Sequence, residues 1–97
     1  MNTINYKKYR KAFIELQGKA YELYVEDKKN NPDINIPHID ISDVCRDDDI
    51  VELSINWSCC GSVSISTAEL FMTRFNKVIE MVNNFPYNGY MLMYGED

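Results

Sequence analysis

A zinc site or a Cys–His nucleophile could draw on the one histidine and three cysteines of the chain: His38, Cys45, Cys59 and Cys60. Adjacent cysteines do not easily occupy two corners of one tetrahedron, and the sequence has no C-x2-C pair, so the spacing argues against a zinc site. A Cys–His nucleophile would depend on the only histidine of the chain. We therefore expect small buried or turn thiols, a histidine near solvent at a strand start, and no metal or other cofactor.

Acidic residues form the densest cluster of like side chains. Six carboxylates fall within thirteen residues, at Asp40, Asp43, Asp47, Asp48, Asp49 and Glu52. The three consecutive aspartates lie in a predicted polar turn, where no apolar surroundings raise a pKa toward the range of a general acid. The four glycines are scattered and form no phosphate-binding loop. These patterns favour a protein that is not an enzyme.

Two interpretations of this acidic cluster remain open. It can be a solvated edge that keeps the protein soluble. It can also be a partner-binding surface that engages a basic groove of another protein, with some carboxylates in the positions that the phosphates of a nucleic acid would occupy. In the second interpretation all six carboxylates are candidate binding residues.

The net charge of −5 is spread unevenly along the chain. Residues 1–31 hold seven Lys or Arg against four Asp or Glu, whereas residues 32–97 hold three against eleven. Because an acidic body repels phosphate, direct binding of DNA or RNA is disfavoured despite the basic start of the chain. A basic protein is the more natural partner.

The composition also limits the compartment and the class of protein. No stretch approaches the roughly 18 to 20 consecutive apolar residues of a membrane span, and the N-terminus lacks the pattern of a secretory signal. An odd number of cysteines, two of them adjacent, fits reduced thiols better than disulfides. With 45% hydrophobic and 26% charged residues, the 97-residue chain predicts one soluble cytoplasmic domain over residues 1–97.

Apolar residues recur at spacings of three and four from Tyr6 to Leu23, which predicts an amphipathic helix. The Asn-Asn-Pro sequence at 30–32 predicts its end, with asparagine in a left-handed cap. Gly18 predicts either a bend of the helix or, as the favoured interpretation, close approach of another backbone at that point. Additional apolar residues in the second half, Tyr21 among them, predict that this half is the more deeply buried.

Alternating apolar and polar residues predict strands over 39–44, 51–57 and 62–66. The second and third of these are expected to form a hairpin around Gly61, with Trp57 in the core. The S-x-x-E pattern of Ser66 and Glu69 then predicts a capping box that begins a second amphipathic helix. A run of five apolar residues at 90–94 predicts a fourth strand or a docked segment.

The predicted order is α, β, β, β, α with a possible C-terminal strand. This is an α+β fold in which an antiparallel sheet packs against two helices.

Residues 51–82, VELSINWSCCGSVSISTAELFMTRFNKVIEMV, resemble the hairpin-plus-helix of many small uncharacterised phage and mobile-element proteins. In those proteins a strand ending in Trp-Ser leads through Gly-Ser-Val-Ser to a capped amphipathic helix. Size, acidity and element order also make the whole chain similar to small phage-encoded inhibitors of the anti-CRISPR kind. This resemblance implies a protein that occludes a nuclease's nucleic-acid groove or blocks its movement. It assigns no role to an individual residue.

Together with the acidic cluster, this resemblance implies a non-enzymatic, phage-encoded, anti-CRISPR-like inhibitor. Its acidic strand and turn surface would block a nucleic-acid-binding groove of a host defence protein in the host cytoplasm, without binding nucleic acid or a membrane itself. The alternative is a structural or assembly protein that self-associates, for example as a homodimer, through the apolar C-terminal segment.

Overall fold

The computed structural model describes residues 3–46, 49–58 and 64–94, which form two helices and four strands. In chain order these are β1 (Thr3–Asn5), α1 (Tyr6–Asn30), β2 (Ile39–Cys45), β3 (Val51–Trp57), α2 (Ile65–Asn83) and β4 (Met91–Met93). The α+β class predicted from the sequence is confirmed. Neither of these helices is both long enough and apolar enough to cross a membrane.

The strands form two pairs that a short bridge joins. β2 and β3 are antiparallel, while β1 and β4 are parallel. An isolated antiparallel bridge links Ile50 to Met91, and the backbone N–H of Val51 donates to the carbonyl of Tyr90 at 2.8 Å. The predicted C-terminal strand is therefore present, and it lies between the start of β3 and the N-terminal strand β1.

The first half of α1 supplies much of the core. The side chain of Asn5 caps the helix by accepting a hydrogen bond from the backbone N–H of Lys7 at 2.8 Å. The helix buries residues on one face at the predicted spacing, namely Tyr9, Phe13, Leu16 and Ala20. These side chains pack with Ile39 and Ile41 of β2, Val51 of β3 and Val78 of α2.

Three predictions about the second half of α1 are wrong. Tyr21 is 62% exposed and no residue of α1 after Ala20 is buried, so this half is the less buried one. A Cβ atom at Gly18 would meet no atom within 4 Å, so no backbone approaches it. Asn31 has φ −135° and is not left-handed; its side-chain amide and its backbone N–H both donate to the Asp27 carbonyl. These bonds satisfy that carbonyl without a left-handed residue.

The capping box predicted at Ser66 and Glu69 is also wrong. The cap is Ser64, whose hydroxyl oxygen accepts from the backbone N–H of Thr67 at 3.2 Å, and Ser66 lies inside the first turn. The Ser64 and Thr67 hydroxyls are 2.9 Å apart, and Thr67 is buried. Starting the helix two residues earlier thus gives the buried hydroxyl of Thr67 a partner.

The predicted third strand is wrong over residues 64–66, which form the cap and the first turn of α2. The rest of that prediction, including Gly61, lies outside the described residues. Among the described residues, a hairpin is formed by the first two predicted strands, β2 and β3.

Trp57 is 55% exposed, so its predicted place in the core is wrong. Alternation does place it on the face of β3 toward the helices, opposite Ile39. It is the last residue of the strand, however, and contacts α2 edge-on, with its ring 6.5 Å from Phe71 and 5.1 Å from Phe75. The strand end therefore leaves half of the indole in contact with solvent.

A buried arginine, which was not predicted, joins α2 to the rest of the fold. Arg74 is 2% exposed and lies over the ring of Tyr24 at 5.2 Å. Its guanidinium donates to the carbonyl of Pro37 and lies 3.5 Å from the Asp27 carboxylate. Burial lowers the pKa of Arg74, and the nearby Asp27 opposes that shift. The side chain thus ties α2 both to α1 and to the segment that precedes β2.

Candidate protein-binding surface

The β2–β3 hairpin has one face toward the helices and one face that the helices do not cover. In the antiparallel register, Ile39, Ile41 and Asp43 lie on the helix-facing side. The opposite side, called here the outer face, carries three residues of each strand: Asp40, Ser42 and Val44 of β2, and Glu52, Ser54 and Asn56 of β3. The predicted acidic residues are therefore divided between two faces, because successive side chains of a strand alternate in direction.

Hydrogen bonds between side chains fix the centre of the outer face. The hydroxyls of Ser42 and Ser54 are 2.8 Å apart, and the amide of Asn56 donates to the Ser42 oxygen at 2.7 Å. Cross-strand polar contacts of this kind hold side chains in place on an exposed sheet. The outer face therefore presents ordered polar groups rather than freely rotating ones.

Asp40 and Asp49 are exposed, and their carboxylates make no hydrogen bond or ion pair within the described residues. Asp40 lies opposite Asn56 at one end of the outer face. Asp49 lies at the other end, in the turn that joins β2 to β3. Since a strand rises about 3.3 Å per residue, Asp40 and Asp49 are roughly 20 Å apart along the hairpin. Both carboxylates are free to meet a cation on a partner.

Two other predicted residues are already engaged within the fold. The Tyr9 hydroxyl donates to the Asp43 carboxylate at 2.6 Å, and the Arg10 guanidinium lies 4.0 Å from the same carboxylate. Burial raises the pKa of Tyr9, and the hydrogen bond to Asp43 raises it further. Glu52 accepts from Arg46 at 2.6 Å. These contacts make Asp43 a poor candidate for binding a partner and leave Glu52 only partly available.

The turn itself has a backbone feature that involves Asp49. The N–H of Arg46 donates to the carbonyl of Ile50, the N–H of Asp49 donates to the carbonyl of Arg46, and Asp49 has φ 57°. This is the left-handed region, which aspartate tolerates better than most residues other than glycine and asparagine. Asp47 and Asp48 lie outside the described residues, and their role in binding stays a prediction.

The residues considered for zinc or thiol chemistry are dispersed where they are described. His38 stacks on Tyr24 with ring centres 4.2 Å apart, and Cys45 is an exposed thiol at the end of β2. Among the described residues, no three or more His, Cys, Asp or Glu side chains are grouped closely enough to hold a metal ion. Cys59 and Cys60 are outside those residues, so the expectation that they bind no metal stays a prediction.

Sequence reasoning missed an apolar feature next to the hairpin. Trp57, Phe71 and Met72 line a small cleft of about 150 Å³ whose lining is almost wholly apolar. Trp57 and Met72 are both about half exposed. The sequence does contain a signal for this exposure, because Trp57 is the last residue of its strand. Side chains at strand ends are commonly covered less by neighbouring elements.

The chain has no significant match among protein-family models, curated proteins or solved structures. Its function must therefore be argued from its own surfaces.

Proposed function

We propose that this protein is a non-enzymatic binding protein whose outer face and hairpin turn engage a basic surface of another protein. The observation that carries the proposal is the pair Asp40 and Asp49. Each is exposed and makes no side-chain ion pair within the described chain, and the surface between them is held by the Ser42–Ser54 and Asn56–Ser42 contacts. Fixed polar groups flanked by free carboxylates are complementary to a basic partner, and few side chains of this surface would lose conformational freedom on binding.

In its finer form, the proposal is that the partner is a nucleic-acid-binding defence protein of a host cell and that the chain is a phage-encoded inhibitor of the anti-CRISPR kind. Charge supports this form, since residues 32–97 hold eleven acidic residues against three basic ones. Carboxylates spaced along a strand can occupy a groove that otherwise receives phosphates. Asp43 contributes to this field through its charge while its hydrogen bond to Tyr9 serves the fold.

The test is retention of host proteins on the immobilised protein, with elution either by rising NaCl or by a DNA duplex. DNA should elute a partner that is bound through a nucleic-acid groove, because it competes for the same basic groove. Asp40→Asn combined with Asp49→Asn should lower retention of the DNA-eluted proteins roughly fivefold at low salt, with a smaller effect near 0.5 M NaCl.

The matched control neutralises two exposed carboxylates on α1, Glu15→Gln with Glu22→Gln, and changes the net charge equally. This control should leave retention unchanged. Equal retention by both double variants would show that the position of the carboxylates is irrelevant, and the proposal would then be abandoned.

A second candidate function, self-association through the C-terminal segment, is favoured by one observation. Met93 and Tyr94 at the end of β4 are 54% and 63% exposed, an apolar surface at the edge of the sheet. Leu92, in the middle of the apolar run at 90–94, is only 5% exposed and belongs to the core. The informative change is therefore Met93→Lys. It should convert a dimer to a monomer in sedimentation at high salt, where apolar association is strengthened.

A further inference from the structure

The register of the hairpin determines which backbone groups of β2 point away from β3. The N–H of Arg46 bonds to Ile50, so even-numbered residues of β2 face β3, and Ile39, Ile41 and Asp43 direct their N–H and C=O groups to the other edge. β3 shows the complementary pattern, since the N–H of Val51 bonds outward to Tyr90. Within the described residues, no strand pairs with this other edge of β2, called here the outer edge.

A groove runs along this free edge, between β2 and α1. Its volume is about 280 Å³, and it is lined by Gln17, Ala20, Tyr21 and Tyr24 of α1 and by Ile39 and Ile41 of β2. Apolar side chains share the lining with Gln17, His38 and Asp40, and Tyr21 on the groove wall is 62% exposed. The groove is therefore accessible to side chains from outside.

One hydrogen bond in the groove takes the place of a strand contact. The side-chain amide of Gln17 donates to the outward carbonyl of Ile41 at 2.9 Å. A neighbouring strand would supply a backbone N–H to the same carbonyl. The side chain thus satisfies part of an edge that has the hydrogen-bonding pattern of a strand-accepting site.

We propose that an extended segment of the basic partner adds to the outer edge of β2 as an additional strand. The proposal rests on the proposed function, because the partner is the same, and it specifies how that partner is recognised. Alternate residues of the added strand would face the groove beside Tyr21, where apolar side chains fit. The residues between them would lie beside Asp40 and Val44 of the outer face, where cationic side chains fit. The recognised segment thus alternates basic and apolar residues.

The charge of β2 makes a basic segment a better occupant than a second copy of this chain. In a sheet formed by β2 and its own copy, both Asp40 carboxylates would lie on the outer face and both Asp43 carboxylates on the helix-facing side. Like charges on neighbouring strands repel one another on each face, whereas basic residues in the added strand are attracted to Asp40.

The test uses a fluorescein-labelled peptide, Val-Arg-Val-Arg-Val-Arg-Val with blocked ends, and the full chain at low salt. Two further peptides carry N-methyl groups either on the valine amides or on the arginine amides. In an added strand, only every second backbone N–H points toward β2 and can donate to it. If the peptide adds antiparallel, these are the N–H groups of the groove-facing valines; if it adds parallel, they are those of the arginines. One methylated peptide should therefore bind at least tenfold more weakly than the parent, while the other binds within about twofold.

Two protein variants locate the peptide. Tyr21→Lys places a cation on the groove wall and should weaken binding at least fivefold. Met72→Lys is the control, because Met72 is apolar and 50% exposed but lies on α2 beside Trp57 of β3, and its effect should be below twofold.

Failure of this inference is distinguishable from failure of the proposed function. Peptide binding that weakens with salt and with Asp40→Asn, yet responds equally to both methylation patterns, would overturn strand addition and leave the acidic surface as the binding site. The absence of saturable peptide binding at low salt would overturn strand addition as well. The proposed function would then be judged by the DNA-elution experiment alone.

Discussion

The hydrogen bond from Tyr9 to Asp43 gives the sharpest test of which carboxylates serve the fold. Tyr9 is fully buried, and its hydroxyl is 2.6 Å from a carboxylate whose side chain is 27% exposed. A hydrogen bond to a charged group contributes about 1.5 to 3 kcal/mol. Partial hydration of Asp43 and the nearby Arg10 lessen the loss when the hydroxyl is removed. We therefore expect Tyr9→Phe to lower the free energy of unfolding by about 2 kcal/mol, or roughly 10 °C in Tm for a domain of this size.

The assay is urea unfolding followed by circular dichroism, with Tyr87→Phe as the control. Tyr87 is half-buried in the same aromatic cluster, with its ring 6.5 Å from that of Tyr9, and its hydroxyl makes no hydrogen bond within the described residues. Its loss should change stability by less than about 0.5 kcal/mol. A double-mutant cycle with Asp43→Asn should give a coupling of at least about 1 kcal/mol. Strict additivity of the two changes would show that this contact does not stabilise the fold.

The same pair predicts a pH dependence. Burial and the contact with Asp43 raise the pKa of Tyr9 in the folded state above the value of about 10 for an unfolded tyrosine. At pH values above 10 the unfolded state therefore releases a proton that the folded state keeps, so alkali favours unfolding. The contribution of Tyr9 is fully present below pH 10 and is lost as the pH rises toward its folded pKa. The stability difference between wild type and Tyr9→Phe should shrink above pH 10; a constant difference would contradict the assigned cause.

Two further changes test the corrected parts of the fold. Trp57→Ala should cost about 1.5 to 2.5 kcal/mol, half of the loss expected for a fully buried tryptophan, because half of the indole is already in water; urea unfolding monitored by circular dichroism measures this. Ser64→Ala should cost about 1 kcal/mol through loss of the cap, whereas Ser66→Ala inside the helix should cost almost nothing. Equal effects at the two serines would mean that α2 does not begin at Ile65.

The elements predicted correctly from the sequence are those whose pattern extends over several repeats. The spacing of Tyr9, Phe13, Leu16 and Ala20 is sufficient to define α1, and alternation over seven residues defines β3. β1 was missed because three residues contain too little alternation to be recognised, and its pairing with β4 depends on residues almost ninety positions apart. The start of α2 was misplaced because Ser64 and Ser66 are both good caps, and only the burial of Thr67 distinguishes them.

The candidate surface was predictable in part for the same reason. The alternation that places Ile39 and Ile41 toward the core also places Asp43 there, so the separation of Asp43 from Asp40 follows from spacing alone. The partner of Asp43 could not be derived, because Tyr9 reaches it from a helix 34 residues away in sequence. The edge groove likewise exists only because α1 crosses beside β2 in the folded chain.

A substitution at Asp49 can distinguish whether the acidic residues serve solubility or binding, because the backbone conformation of Asp49 suits glycine. Its φ of 57° is a conformation that glycine adopts without steric cost, but glycine also raises the entropy of the unfolded chain, so Asp49→Gly should stabilise the protein by at most about 0.5 kcal/mol. Solubility depends on net charge and is indifferent to where one carboxylate lies, whereas binding to a shaped basic surface depends on position. Combining Asp49→Gly with Ser66→Asp, in the exposed first turn of α2, keeps the net charge at −5 and moves one carboxylate away from the hairpin turn. If the turn is part of the binding surface, this variant should be as soluble as the wild type and at least as stable, yet should retain fewer DNA-eluted proteins. Undiminished retention would mean that the carboxylate of Asp49 serves only solubility.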